Sequence, residues 1–525
     1  MALYDAIIVG SGPAGTFSAR ALQGRNTLVL DVGHRPPPAP DLQGELYALR
    51  QRRDDLFEEL IGSGFEGLHN VYKRDISLKL KAPAMAYIVR DWEKLMPVQS
   101  RTFHAVASFA VGGLANAWGA GVFRFNRRDL EGFPIDAGEL EPFYDEVAAH
   151  IGISGVCDDL LPYFGAEPHL LPPLRIPRMA TDILERFRAR KAYFQERGIT
   201  IGRMRLAVLT VPHNGRTAYT YDNLEFYRPY DPAIYNPAFT LDDLVSRNQV
   251  TLQTGYQVRR YRETPEGVEV IAENLRTGSH ETFQCKNLIL AAGTLGSTKI
   301  VLESHGDYES RLPLLDNPMA CVPLFRLGRI GAALEVGDGA LGQLNVIYDD
   351  AETGDLLQAG IYGTTGPLRS DVLFQFPLSI SANLIWARYL SPAMALMMLF
   401  YPGKRDPANY IRLTDTGALN MNYEWKSTGR PERSLIAAFR RLGFVSAAAL
   451  CQYPAMGSSL HYAGTLPMKA VPGPYQTGAD GKLFGSKSVY VADGACFSEL
   501  PAKNLTFTIM ANAARIAGLV RRNIE

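Results

Sequence analysis

The residues near the N-terminus combine glycines, a helix start and a carboxylate at the spacing that binds a dinucleotide. Residues 10–15 read Gly-Ser-Gly-Pro-Ala-Gly, follow the apolar run 6–9 and precede a segment that can form a helix. Glycines let a pyrophosphate approach the backbone, and the unpaired N–H groups of a helix start attract phosphate. Asp31, which ends the next apolar run, can accept hydrogen bonds from ribose hydroxyls. The residues predicted to bind the dinucleotide here are Gly10, Gly12, Pro13, Ala14, Gly15 and Asp31.

A second Gly-x-Gly-x-x-Gly pattern occupies residues 337–342. The residues that follow it, 343–348, alternate like a strand, so we interpret this pattern as a hairpin turn rather than a second nucleotide site. The five cysteines are widely spaced and contain no Cys-x-x-Cys pair. A single dinucleotide motif without a redox cysteine pair excludes the flavin disulfide reductases.

The hydrophobic pattern along the chain predicts the elements that hold the glycine loop. Short apolar runs at 27–30, 287–290 and 489–491 are typical of strands buried in a parallel sheet. Residues 248–290 read as strands joined by hairpin turns, and residues 506–522 read as a helix. The pattern therefore predicts an α/β fold.

Composition excludes one class of partner and favours one compartment. The 54 basic and 54 acidic residues give a formal net charge of zero, which argues against a nucleic-acid binder. The wide spacing of the cysteines predicts neither disulfides nor a metal site. The first residues lack the basic and apolar regions of a signal peptide, which favours a cytoplasmic protein.

An apolar stretch at 384–401 has no obvious partner in the sequence. It contains Arg388, Ser391 and Pro392, so it is a poor candidate for a transmembrane helix. One interpretation is a buried core or interdomain segment. The other is an apolar lid or a peripheral membrane contact, since a dense apolar patch ends at the basic pair 404–405.

Four separated segments together resemble one known family. They are the glycine loop and the segments 111–120, 288–297 and 461–515, whose order and character are similar to the glucose–methanol–choline (GMC) oxidoreductases. The resemblance is greatest to the branch that includes cholesterol oxidase and pyranose oxidase. It implies an FAD-binding Rossmann-like domain with a parallel sheet, and a substrate domain with an antiparallel sheet covered by helices.

The resemblance also implies a division into two domains, each assembled from separated parts of the chain. We expect the FAD-binding domain to comprise residues 1–155, 246–320 and 455–525. We expect the substrate-binding or cap domain to comprise residues 156–245 and 321–454.

The same resemblance extends the set of residues expected to contact FAD. A loop around Gly112 would lie along the flavin and pyrophosphate, where Asn116 could hydrogen-bond the cofactor and Trp118 could cover it. The backbone of Val258 would contact adenine, and the start of the last helix would point at the flavin ring. The added residues are Gly112, Gly113, Asn116, Trp118, Gly119, Val258, Ala292, Gly293, Asp493, Gly494, Leu505 and Thr506.

Two further residues match the catalytic positions of the family. His461 opens a His-x-x-Gly-Thr segment, and Asn504 lies 43 residues later, at a position that the family fills with His or Asn. Histidine titrates near neutral pH and can take the hydroxyl proton of an alcohol while a hydride leaves towards flavin N5. Asparagine cannot act as a base, but it can orient the alcohol by hydrogen bonding. The resemblance thus implies oxidation of a CH–OH group, with no metal.

Departures from the family leave several points open. His104 does not stand in the context of a histidine that binds FAD covalently, so we expect non-covalent FAD. The substrate can be a sugar, a polyketide or another natural-product alcohol, or a sterol or lipid alcohol, and the electron acceptor can be O2, a quinone or a redox protein. Two alternatives are a flavin enzyme without net redox chemistry, such as a lyase or decarboxylase, and a flavin-binding protein that is not an enzyme.

Overall fold

The computed structural model describes residues 3–38, 42, 44, 46–64, 67, 80–333, 341–364, 379–426 and 429–524. Within these ranges the strands assemble into four sheets. In chain order the strands are β1 (Leu3–Val9), β2 (Thr27–Asp31), β3 (Val98–Gln99), β4 (Ile153–Ser154), β5 (Leu170–Leu171), β6 (Ile199–Arg203), β7 (Thr251–Thr254), β8 (Tyr256–Thr264), β9 (Gly267–Asn274), β10 (His280–Leu290), β11 (Leu312–Pro313), β12 (Met319–Phe325), β13 (Leu344–Asp349), β14 (Leu356–Gly363), β15 (Met394–Phe400), β16 (Tyr410–Leu413), β17 (Leu419–Asn422) and β18 (Val489–Val491).

The helices range from single turns to a long helix near the C-terminus. In chain order they are α1 (Pro13–Ala21), α2 (Leu46–Arg52), α3 (Leu56–Ile61), α4 (Trp92–Leu95), α5 (Ala137–Ile151), α6 (Leu161–Phe164), α7 (Arg178–Arg188), α8 (Lys191–Gln195), α9 (Pro237–Ser246), α10 (Gly293–His305), α11 (Ile380–Leu390), α12 (Pro431–Arg440) and α13 (Thr506–Ile524).

The first of the two main sheets, here called the large sheet, has the order β7-β2-β1-β10-β9-β8, with β18 beside the end of β10. Strands β7, β2, β1, β10 and β18 run parallel, whereas β10, β9 and β8 form an antiparallel meander. The runs 6–9 and 28–30 lack polar alternation because they are buried on both faces. Helix α1 packs on α13, and α13 packs on α5. The strands and the C-terminal helix predicted from the sequence are confirmed.

The second main sheet, here called the wall sheet, is antiparallel and has the order β12-β15-β14-β13-β6. One of its faces packs against α7 and α12 and forms a separate core with Ile183, Met397 and Phe439. The other face is turned towards the carboxyl ends of the parallel strands of the large sheet. The predicted fold class, a parallel sheet with helices combined with an antiparallel sheet covered by helices, is therefore confirmed.

The apolar stretch 384–401 divides into two parts with different environments. Its second part is β15, a strand inside the wall sheet, which agrees with the interpretation as a buried core segment. Its first part belongs to α11, where Leu384, Ile385, Trp386 and Tyr389 are exposed. The peripheral membrane contact stays a prediction, and it concerns the exposed residues of α11, because β15 lies between two other strands. Among the described residues, no helix combines the length and hydropathy that spanning a bilayer requires.

Two further expectations from the sequence concern the second glycine pattern and the cysteines. The second glycine pattern lies mostly outside the described residues, so the predicted hairpin stays a prediction, although β13 is the strand expected after it. All five cysteines are free thiols in the structure.

Candidate active site

A cavity of about 770 Å³ lies between the two main sheets. Its floor is formed by the loops that follow β1, β2, β10 and β18, at the carboxyl ends of the parallel strands. Its opposite side is the cavity face of the wall sheet, which contributes Met398 and Phe400 among others. The carboxyl ends of parallel strands are the usual position of ligand sites in α/β sheets.

Most of the residues predicted from the sequence line this one cavity. They are Gly10, Gly12, Pro13, Ala14, Asp31, Gly113, Trp118, Gly119, Val258, Ala292, Gly293, His461, Asp493, Gly494, Asn504, Leu505 and Thr506. The exceptions are Gly15, Gly112 and Asn116, which lie behind the lining. Segments that are hundreds of residues apart in the chain therefore meet at a single site.

The glycine loop is shaped by close backbone contacts. Gly10 has a φ of +99°, and an added Cβ would lie 2.5 Å from the carbonyl oxygen of Ala291. A Cβ on Gly15 would overlap the carbonyl oxygen of Gly10, so Gly15 permits helix and strand to pack closely. An added Cβ on Gly12 meets only the Cα of Gly113, at 3.8 Å, because this position borders the cavity. Helix α1 starts there without a side-chain cap, which leaves its first N–H groups for an anion.

Asp31 holds the glycine loop as well as facing the cavity. Its Oδ2 accepts a hydrogen bond of 2.6 Å from the backbone N–H of Ser11, and its Oδ1 accepts one of 2.7 Å from Gly33. Burial raises the pKa of this carboxyl to about 6. A carboxylate has about four acceptor positions, so lone pairs remain for ribose hydroxyls.

The side chain of Asn116 has a different role from the one predicted. Its amide nitrogen donates hydrogen bonds to the carbonyl oxygens of Val111 and Gly113, at 2.9 and 2.7 Å. Its oxygen accepts bonds of 2.9 Å from Tyr87 and 2.7 Å from Asn236. All four hydrogen bonds of the amide are thus made within the protein. The expected cofactor contact is not supported, and Asn116 instead fixes the loop around Gly112.

The rest of this loop borders the cavity. The indole N–H of Trp118 donates a hydrogen bond of 2.9 Å to the carbonyl oxygen of Tyr235, which fixes the ring at the cavity wall. A Cβ on Gly113 would lie 3.2 Å from the Cα of Gly12, so the two glycine segments touch. At Gly119 and Gly293 an added Cβ meets nothing within 4 Å. These positions leave open space of the kind that a flat ring needs.

The loop after β18 is tied to the start of α10. Asp493 is buried, and it accepts hydrogen bonds of 2.5 Å from the hydroxyl of Ser297 and 2.9 Å from the backbone N–H of Ala495. Burial raises the pKa of Asp493 to about 6. Helix α13 begins at Thr506, directly after Leu505, at the residue where the sequence predicted its start. Its first turn lies at the cavity.

His461 is held in one tautomer by a buried asparagine. Its Nδ1 lies 3.0 Å from Oδ1 of Asn317, whose amide nitrogen donates to the carbonyl oxygens of Tyr401 and Pro501. Because those two carbonyls fix the asparagine orientation, its Oδ1 must accept a proton from the imidazole. Nε2 is then unprotonated, and no described residue bonds to it. Burial lowers the pKa of His461 to about 4, so the ring is neutral at neutral pH.

Asn504 is oriented by a glutamine of the wall sheet. Nε2 of Gln358 lies 3.3 Å from Oδ1 of Asn504, which leaves the amide nitrogen of Asn504 as a donor at the cavity. The ring of Phe400 stacks on His461 with the centroids 5.3 Å apart. Gln358 and Phe400 are direct partners across β14 and β15. One row of the wall sheet therefore supports both candidate catalytic side chains.

Sequence reasoning missed the residues that support the candidate pair, namely Asn317, Gln358 and Phe400. A feature of the sequence could have pointed to Gln358, since it is the one amide in the otherwise apolar strand 356–363. No feature of the sequence pointed to Phe400, because β15 is apolar on both faces and no alternation shows which side chains face the cavity. His104 is exposed and does not line the cavity, although its backbone oxygen accepts a hydrogen bond from Tyr462.

Residues 406–513 match the family model of GMC oxidoreductases. The matched segment includes His461, Asp493 and Asn504. No curated protein matches the chain.

A solved structure has the same fold over nearly the whole chain. Pyridoxine 4-oxidase from Mesorbium loti aligns with a TM-score of 0.60 and 14% identity, over 98% of this chain and 98% of that chain. At this identity the similarity shows a shared fold. Together with the family match, it supports an oxidoreductase with a GMC-type C-terminal segment. The predicted relation to the cholesterol oxidase and pyranose oxidase branch stays a prediction.

Proposed function

We propose that this protein oxidises the CH–OH group of an alcohol with non-covalently bound FAD. The observation behind the proposal is that one cavity joins the glycine loops to a neutral imidazole with a free Nε2 and to an amide donor. These are the groups that an alcohol oxidation needs beside a dinucleotide.

The floor of the cavity fits FAD by its own geometry. The uncapped start of α1 and the open side of Gly12 suit a pyrophosphate, and Asp31 has acceptor positions left for ribose. The space beside Gly119 and Gly293 suits a flat ring. When bound, FAD supplies the two-electron acceptor at flavin N5. The exposed position of His104 favours non-covalent attachment.

His461 is the proposed base. Its Nε2 accepts the hydroxyl proton of the alcohol, and its Nδ1–H continues to donate to Asn317 while the ring is charged. The low pKa that burial gives the ring keeps it ready to accept a proton at neutral pH. Burial also disfavours the imidazolium, and the ring must give up this proton before the next turnover.

Asn504 is the proposed orienting group. Its amide nitrogen donates to the alcohol oxygen and favours the negative charge that develops as the proton leaves. Gln358 keeps the amide in this orientation by donating to its oxygen. The supporting residues, Asn317 and Gln358, do not line the cavity.

Anaerobic reduction of the flavin tests the proposal directly. Purified holoprotein should lose its oxidised-flavin absorbance when a suitable alcohol is added without an electron acceptor. His461→Ala should retain FAD but reduce it about 10²–10⁴ times more slowly, the usual contribution of a general base. His104→Ala, an exposed histidine of the same chain, should match the unsubstituted protein.

Two results would contradict the proposal. If no alcohol bleaches the flavin, a reaction without net redox chemistry is favoured. If His461→Ala is as fast as the unsubstituted protein, His461 is not the base. If an alcohol does reduce the flavin, re-oxidation of the reduced protein by O2, a quinone or a redox protein shows which acceptor completes the cycle.

A further inference from the structure

We infer that the substrate is an uncharged alcohol with an apolar hydrocarbon body, and not a sugar. This inference rests on the proposed alcohol oxidation. It follows from the side chains that the wall sheet turns towards the cavity beyond the catalytic pair.

The pairing of the wall strands arranges these side chains in rows across the sheet. The strands β14, β15 and β12 are in register, and alternate residues of each face the cavity. From the catalytic pair outwards, the rows are Gln358–Phe400–Met319, Gly360–Met398–Cys321 and Tyr362–Leu396–Pro323. The first row touches His461 and Asn504, so the body of the substrate must lie along the second and third rows.

Charge is confined to the other side of the cavity. The charged residues of the lining all belong to the large sheet, to α10 or to the loop after β18. They are Asp31, Arg259, Lys299, Glu303 and Asp493. Among the described residues, the wall sheet and the strip 452–460 contribute no charged side chain to the lining. A charged substrate would lose its hydration there without gaining a counter-charge.

Two of the hydroxyl groups near the wall are engaged within the protein. The hydroxyl of Tyr453 donates to Glu432 at 2.9 Å, and that of Ser459 donates to Asp316 at 2.6 Å. A sugar brings several hydroxyls, each of which costs free energy if it is buried without a partner. The hydroxyls of Ser458 and Tyr362 also line the cavity and make no hydrogen bond to a described residue, but they are few beside the several hydroxyls of a sugar.

Sulfur atoms give the wall its particular character. Met319, Met398 and Cys321 occupy adjoining positions in two rows, and all three line the cavity. Thioethers are adaptable and make favourable contacts with aromatic rings and alkyl chains alike. The apolar body of the substrate can therefore be aromatic or aliphatic, and a comparison of benzyl alcohols with alkanols distinguishes these two classes.

A panel of alcohols tests the inference on the holoprotein. We would measure anaerobic flavin reduction with straight-chain primary alcohols of increasing length, with benzyl alcohols, and with glycerol and glucose. Within the straight-chain series kcat/KM should rise about fourfold per added methylene until the cavity is full. The sugars should react at least about 100-fold more slowly than the best apolar alcohol.

The outcomes separate this inference from the proposed function. If glucose or glycerol reduces the flavin as fast as the apolar alcohols, the inference is overturned but alcohol oxidation stands. If no alcohol of any class reduces it, alcohol oxidation itself fails. Faster reduction by benzyl alcohols than by alkanols of equal size would assign an aromatic body.

Substitution at Met398 tests the position of the apolar body. Met398→Gln keeps the length of the side chain and adds an amide, so KM for apolar alcohols should rise about tenfold while kcat changes little. Met398→Leu, which stays apolar, should keep KM within about threefold. Equal effects of both substitutions, or a loss confined to kcat, would show that Met398 does not contact the substrate. Unchanged flavin absorbance would show that each variant is folded.

Discussion

The two sides of the cavity are built from different kinds of atom. On the side of the large sheet, the contacts come from the backbone of glycines, from helix starts and from Asp31 and Asp493. On the side of the wall sheet, they come from side chains in rows, such as Phe400 and Met398. The backbone side leaves no room for a side chain at Gly10 and Gly15, whereas a side chain in a row of the wall sheet can be replaced without moving the sheet. We therefore expect substitutions on the first side to alter cofactor content and those on the second to alter rates or substrate choice.

The largest expected effect is the loss of FAD from Gly12→Val. An added Cβ meets no atom closer than the Cα of Gly113 at 3.8 Å, so the apoprotein should fold. The branched side chain, however, fills the approach to the start of α1 and should weaken FAD binding by about tenfold or more. The ratio of flavin to protein absorbance after purification measures the content, and thermal unfolding of the apoprotein measures the fold.

Gly328→Val is a matched control for this substitution. Gly328 likewise has room for an added Cβ, with nothing within 4 Å of it, but it does not line the cavity. It should keep a full complement of FAD. Full FAD in Gly12→Val would mean that the glycine loop is not the pyrophosphate site, and the contrast between the two sides would fail.

The next effect concerns the pH dependence set by His461. A base with a pKa of about 4 is neutral across the neutral range, so flavin reduction should be constant down to about pH 5. Below that pH it should fall as the ring takes up a proton. Because the folded pKa lies below that of the unfolded chain, folding stability contributed by neutral His461 is lost as pH falls from about 6.5 to 4.

Asn317→Asp tests whether the partner of His461 sets this pH dependence. A carboxylate at Asn317, whose Oδ1 now lies 3.0 Å from Nδ1, would favour the charged imidazole and raise its pKa. The acid limb of the rate profile should then move to higher pH, with FAD content unchanged. If the acid limb of the pH–rate profile does not move in Asn317→Asp, a group other than His461 limits the rate at low pH.

The contrast between the two sides also explains what the sequence could predict. The glycine loop, Asp31 and the buried parallel strands could be predicted from the sequence, because a nucleotide-binding fold requires glycines at fixed spacings and uninterrupted apolar runs. His461 and Asn504 were proposed only through the resemblance of their surroundings to a family. Asn116 was assigned to the cofactor because sequence cannot show that Tyr87 and Asn236 reach its amide from distant segments.

The wall sheet resisted prediction for a physical reason. Strand β15 reads Met-Ala-Leu-Met-Met-Leu-Phe, apolar on both faces, since one face packs in a core and the other lines the cavity. Without alternation, neither the strand nor its register with β14 can be read from the sequence. The division of 384–401 into α11 and β15 was hidden for the same reason.

The smallest expected effect concerns Gln358, which acts only through Asn504. Gln358→Met keeps the side-chain length in a buried position but removes the hydrogen bond of 3.3 Å to the oxygen of Asn504. The amide of Asn504 then loses its fixed orientation, and kcat should fall about tenfold while KM and FAD content stay near their original values. Gln343→Met, which removes another buried amide just before β13, should leave kcat unchanged, because Gln343 makes no contact with Asn504.

A double substitution decides whether this effect passes through Asn504. In the Asn504→Ala background the amide that Gln358 orients is absent, so adding Gln358→Met should cause no further fall in kcat. A further tenfold fall in that background would mean that Gln358 affects the rate independently, for example by moving Phe400, its neighbour in the row and the ring that stacks on His461. The first row of the wall sheet would then act on His461 as a single packed unit, instead of supporting His461 and Asn504 separately. In that case the wall sheet would tolerate substitution only in the second and third rows, and the first row would be as sensitive to change as the glycine loop.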